Sequence, residues 1–163
     1  MKRTSKPSRR RFAILLGVCA IVFTVSACEE RRKAGHLERG EEYFASGQYP
    51  EAIIEFLNVL QIEEDNTHAI DRLGIAFDES GQFAAAHGYL LQSAEREPTN
   101  EEFRARLARI YLLSGQRQEA REEAQAVLEV NPGNLEALAV FADTAGTEGE
   151  LYAAVLRLED ARA

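Results

Sequence analysis

Gly47-Gln48-Tyr49, with Ala52 close behind, returns 34 residues later as Gly81-Gln82-Phe83 with Ala86, and again as Gly115-Gln116-Arg117 with Ala120. The same interval separates Asn66, Asn100 and Asn134. A fixed period of this length is the signature of a solenoid, in which each unit is one supersecondary motif that buries its apolar side only by stacking on its neighbours. Placing the glycine phrase at the turn of a two-helix unit gives repeats at 33–66, 67–100 and 101–134 and an incomplete fourth at 135–163. The expected fold is all-α: three full helix-turn-helix repeats and one partial one.

The residue types support helices. Pro50 sits in the first turn of its helix, where a missing N–H costs little. Thr99-Asn100-Glu101-Glu102 reads as a capping box after Pro98, and Asn134 is placed to cap the helix that follows Pro132-Gly133. Small residues recur where two helices of a hairpin must approach, and bulky ones there would overpack by about 1–3 kcal/mol. The second unit carries Leu73, Gly74, Phe77, Gly81, Ala86, Leu90 and Pro98. The third carries Leu107, Ala108, Tyr111, Gly115, Ala120, Val127 and Pro132, and the first Gly40, Tyr43, Gly47, Ala52, Phe56 and Val59. This pattern resembles the tetratricopeptide repeat. Arg39 in place of the usual Leu, Glu64 in place of Pro, and Ala145 in place of an aromatic depart from it at the two ends of the array.

Composition narrows the class of partner. The chain has 163 residues, is 45% apolar and carries a formal charge of −8, with 19 Lys and Arg against 27 Asp and Glu. All of the acids follow Cys28, whereas six of the basic residues precede it, so the segment from Glu29 onward holds 13 basic residues against 27 acids, about −14. Such a body argues against nucleic acid and bare anionic lipid surfaces as primary ligands.

The first 27 residues read as a leader. A basic segment (Lys2, Arg3, Lys6, Arg9, Arg10, Arg11) precedes a sixteen-residue apolar run from Phe12 to Ala27, short for a membrane span and suited to a secretory signal. The run ends Val25-Ser26-Ala27-Cys28, which resembles a bacterial lipobox. That resemblance implies cleavage before Cys28 and a lipid on its thiol, tethering the protein to the periplasmic side of the outer or inner membrane. Residues 28–32 then form a short linker that, if extended, reaches at most about 14 Å. Ser8-Arg9-Arg10-Arg11-Phe12 resembles a twin-arginine export motif, and a plain basic leader reads the same residues more simply, since the apolar run is rather apolar for a twin-arginine signal. Cys19 would leave with the leader, so no cysteine remains for disulfide, redox or thiolate-zinc chemistry.

No catalytic or metal constellation is legible, and no cofactor is expected. His36, His68 and His87 occupy different repeat positions, and the Glu-Glu pairs point about 100° apart on their helices. What remains is a surface. The resemblance implies that the first helix of each hairpin lines a concave groove, which carries over to Leu37, Glu41, Phe44, His68, Asp71, Ile75, Asp78, Glu79, Glu102, Arg109, Leu112, Leu113 and Asp143. Acids dominate this set, above an apolar floor. The expected ligand is a basic or amphipathic segment of another envelope protein, and exchanging Asp71 and Asp78 for lysine should spare the fold. The clamp by which some relatives hold a C-terminal carboxylate has no counterpart, since Leu37 and Glu41 stand at its first two positions.

The expected role is a membrane-tethered scaffold or adaptor, not an enzyme. The stretch Leu37–Phe44 with Gly47-Gln48-Tyr49 and Glu55-Phe56-Leu57-Asn58 resembles lipidated repeat proteins of exosortase and exopolysaccharide export systems. Alternatives are an assembly factor similar to type IV pilus pilotins or to the lipoprotein subunit of outer-membrane barrel assembly, and the front of a longer array. The last segment leaves the third reading open: Leu151, Ala154, Val155 and Leu158 follow helical spacing with no polar capping face, so this helix should meet either a partner or another repeat.

Overall fold

The computed structural model describes residues 28–160; the leader lies outside them. Every regular element among these residues is an α-helix: α1 at 28–45, α2 (Tyr49–Leu60), α3 (Thr67–Glu79), α4 (Phe83–Arg96), α5 (Glu101–Leu113), α6 (Arg117–Val130), α7 (Leu135–Asp143) and α8 (Glu148–Asp160). Successive helices pair as hairpins, and each hairpin leans on the next through α2 against α3, α4 against α5, and α6 against α7. None of these helices is long and apolar enough to cross a membrane.

The repeated phrase is the hairpin turn. Gly47, Gly81 and Gly115 have φ of 71°, 72° and 77°, a left-handed conformation that L-residues with a side chain rarely adopt. Each glycine N–H donates to the carbonyl three residues back, and the glutamine N–H after it to the carbonyl five back: Gln48 to Tyr43 at 2.9 Å, Gln82 to Phe77 at 2.8 Å, Gln116 to Tyr111 at 2.9 Å. Three identical Schellman ends therefore set three identical chain reversals. The asparagines open the next unit, for Asn66 and Asn134 accept from the N–H of Ala69 and Ala137 at 3.0 Å. Asn100 does the same toward Glu102 at 3.1 Å, so it, and not Thr99, is the cap of α5.

Close approach within each hairpin rests on the small residues. Ala52, Ala86 and Ala120 are fully buried and Ala154 nearly so. A methyl on Gly40 would meet the Phe56 ring at 2.7 Å, and one on Gly74 would meet Leu90 at 3.0 Å, so both glycines admit the opposing helix. Phe56, Leu73, Leu90, Leu107 and Leu138 fill the space this leaves, buried completely. Rings bridge the stacking surfaces: His87 of α4 meets Tyr111 of α5 edge-on at 5.1 Å.

Three features differ from the sequence reading. Residues 28–32 are helical and continue α1, so they rise about 1.5 Å each and span far less than an extended linker would. Arg39, odd for its position, is explained by Glu55 of α2: its Nε and Nη2 donate to the carboxylate at 3.1 and 2.9 Å, and His36 Nδ1 lies 2.6 Å from the same group. In the last unit the turn comes early. Thr144 ends α7 by donating its hydroxyl to the Val140 carbonyl at 2.9 Å, Ala145 supplies no ring, and Gly149 lies inside α8 instead of at a turn.

The Glu55 contact carries a pH dependence. Hydrogen bonds from Arg39, opposed by burial and aided by His36, hold its carboxyl below the ordinary 4.5. A depressed folded value means that the stabilisation is complete above the unfolded pKa and is lost as pH falls through the folded one. The melting temperature of Glu55→Gln is therefore expected to lie below that of the parent at neutral pH, and the gap to close on acidification well below pH 4.5. A constant gap across that range would remove Glu55 from the acid response.

Candidate functional site: the first-helix face

The first helices of the hairpins, α1, α3, α5 and α7, form one continuous face, and ion pairs cross it from each to the next. Glu41 of α1 accepts from Arg72 Nε of α3 at 2.8 Å and lies 2.8 Å from His68 Nε2. Arg106 of α5 donates to Asp78 and Glu79 of α3 at 2.7 and 2.8 Å, and to Glu102 at 3.3 Å. Arg109 reaches Asp78 at 2.5 Å in one direction and Glu136 of α7 at 2.8 Å in the other. Burial lowers the Arg106 pKa, but hydrogen bonds to Glu79 and Asp78 outweigh it and hold the group above its usual value; Arg109 is raised for the same balance of reasons.

Asp78 is the hub. Its side chain is wholly withdrawn from solvent, it holds two arginines through Oδ2, and its Oδ1 has no hydrogen-bond partner. A buried carboxylate is tolerated only with such compensation. It is therefore an internal tie between the second, third and fourth units and does not face the solvent of the groove. Ile75, 6% exposed, is likewise core. Asp71 turns toward its own hairpin partner, accepting from Ser93 Oγ of α4 at 2.6 Å and pairing with Arg96. These three depart from the expected groove lining, and the physical reason is shared: a first helix touches its own hairpin partner and the next unit as well as the groove, so spacing alone does not decide which way such a side chain turns. With Asp71 and Asp78 both tied down, lysine at these positions is expected to disturb the fold instead of sparing it.

The remaining candidates fall into two groups. Leu37 and Phe44 are half-buried against the main core, and Arg72 stacks over the Phe44 ring at 4.6 Å, so little of that ring is free. Leu112 is half-buried against the second core cluster. His68, Glu79, Glu102 and Asp143 are exposed, and Arg109 and Glu41 are half-buried within the ion-pair ladder. Leu113 is the prominent apolar group of the face, 59% exposed. The sequence reading counted the acids and passed over Arg72 and Arg106. Those two stand 34 residues apart, so the interval that marks the turns also marks the ladder.

Residues 79–142 match the family model of the tetratricopeptide repeat, from the end of α3 in the second unit through the third unit to α7 of the fourth. Solved structures of similar fold superpose on larger shares of the chain. The first such repeat domain of Spaghetti (RPAP3), bound to the HSP90 peptide SRMEEVD, superposes with a TM-score of 0.60 at 21% identity, covering 70% of this chain and 90% of that one. The fold is a tetratricopeptide-repeat solenoid. MamA superposes on this solenoid with a TM-score of 0.67 at 19% identity over 85% of this chain and 81% of its own. The form of MamA from Desulfovibrio magneticus RS-1 gives 0.68 at 16% identity over 80% and 73%. No curated protein matches the sequence. Among the described residues no cluster of metal-ligating groups occurs.

Proposed function

We propose that this chain is a lipid-anchored adaptor of the bacterial cell envelope whose tetratricopeptide array holds a segment of another envelope protein along the first-helix face. The observation that carries the reading is that face itself: a continuous surface fixed by ion pairs, with Leu113, His68, Glu79 and Asp143 left open upon it. Precedent for an occupant comes from the RPAP3 domains, one of which holds an HSP90 peptide and another, human, an HSP70 peptide. Because Arg72, Arg106 and Arg109 offset much of the acid, an amphipathic segment suits the face better than a purely basic one. Exposed pairs contribute only about 0.2–1 kcal/mol each, so charge sets register and apolar contact sets affinity.

Anchoring is assigned to Cys28, which is exposed at the start of α1 and preceded by the lipobox-like Val25-Ser26-Ala27. With residues 28–32 helical, the array sits close against the bilayer. The similarity of the first unit to lipoproteins of exopolysaccharide export systems makes such a system the first place to look for the partner. Cys28→Ala is expected to abolish fatty-acid labelling and leave the leader uncleaved. Labelling that persists in this variant would refute the anchor.

A further inference from the structure

Helix α8, the last of the described helices, carries a second exposed surface, at the other end of the described array from Cys28. Leu151, Tyr152, Val155 and Leu156 are 45%, 66%, 38% and 42% exposed, while Ala154 on the other side of α8 is 1% exposed. At 100° per residue these four share one face with Glu148 and Glu159, which are also exposed and stand at its two ends. An apolar stripe of this size on one helix of a small array marks an interaction site.

The repeats themselves show what such a stripe receives. Ala154 keeps the register of Ala52, Ala86 and Ala120, so Leu151 and Val155 occupy the places of Phe83 and His87 in α4 and of Arg117 and Arg121 in α6. Phe83, His87 and Arg121 each meet the first helix of the following unit, while Arg117 stays exposed and only donates to the Asp143 carbonyl. Arg109 of α5 lies over the Phe83 ring at 5.7 Å and Tyr111 against His87, whereas Phe141 of α7 lies under Arg121 at 4.5 Å. Leu151 and Val155 have no such cover among the described residues. The shape presented is therefore the mould of one more helix.

Charge decides whose helix. An antiparallel pairing of two α8 helices centred between Tyr152 and Val155 would set Glu148 of each copy beside Glu159 of the other, like against like. The α1 helix of a second copy presents Glu38 and Glu42 but also Arg31, Arg32 and Arg39, charges of both signs instead of a stripe bounded by basic residues alone. The first pairing places carboxylates together at a desolvated edge, which is costly, and the second brings acids of its own to that edge among its arginines. We propose that α8 is a docking site for an amphipathic helix of a partner protein whose apolar stripe is bounded at both ends by basic residues. This site is separate from the first-helix face, so the array can join two proteins.

The test uses the full chain in nanodiscs of zwitterionic lipid and two fluorescent synthetic helical peptides that share one apolar stripe, one bounded by lysines and the other by glutamates. Anisotropy is expected to show saturable binding of the lysine form, with the glutamate form weaker by about tenfold or more. Leu151→Asp with Val155→Asp should abolish binding, and Glu148→Lys with Glu159→Lys should invert the preference. The charge pair alters only exposed side chains, so it reports even if the apolar pair disturbs the fold. Leu113→Glu, on the other face, should change nothing; loss of binding in that variant would overturn the assignment. So would absence of binding, equal binding of both peptides, or a parent dimer in mass photometry that Leu151→Asp with Val155→Asp dissolves.

Discussion

Asp78→Lys is expected to lose about 3–5 kcal/mol of stability, enough to abolish cooperative melting in an array of this size. The carboxylate it replaces is completely buried and neutralises both Arg106 and Arg109. Lysine there would put a third cation among two that are already partly desolvated, with no anion left between them. Arg106 could still turn to Glu79 and Glu102, and Arg109 to Glu136, but nothing would compensate the new charge in the interior. Asp78→Asn, which keeps the volume and removes the charge, should fall between parent and lysine variant. A lysine variant that melts like the parent in circular dichroism would show that Asp78 is exposed, and would restore it to the groove.

Ala86→Leu is the second large effect. Ala86 is fully buried at the centre of the array, in the position where Ala52 and Ala120 also admit an opposing helix without a gap. Leu73, Leu90 and Phe77 already fill that region, and Gly74 is so close to Leu90 that even a methyl would be tight. Three added carbons therefore force α3 and α4 apart, at about 1–3 kcal/mol. For a chain of this length each kcal/mol moves the melting temperature by about 2–4 °C. An unchanged transition would contradict the hairpin register, whereas the same substitution at exposed Ala84 should be silent.

The architecture was legible because it is written in backbone requirements. A glycine forced to positive φ, an asparagine that must cap, and an alanine at a helix crossing each admit few alternatives, and they recur at one interval. The groove was less legible because its chemistry depends on which neighbour each side chain meets. Asp71, Ile75 and Asp78 stand at groove-like spacings, yet Ser93, the core and the two arginines claim them. The arginine ladder could have been read from Arg72 and Arg106, had cations been aligned on the repeat as the turns were. The early turn of the fourth unit was foreshadowed only by Ala145, a missing ring whose consequence depends on how Thr144 bonds.

The central claim is that the first-helix face of this array is where a partner lies. A photocrosslinking residue placed at Leu113 or Glu79, in the full chain in its native membrane, tests it against the same residue placed at Ile54 or Glu122, which are exposed on second helices. The account predicts one discrete product of the same mass from Leu113 and Glu79 and none from Ile54 or Glu122. Products of equal yield from both faces, or from the second helices alone, would contradict it.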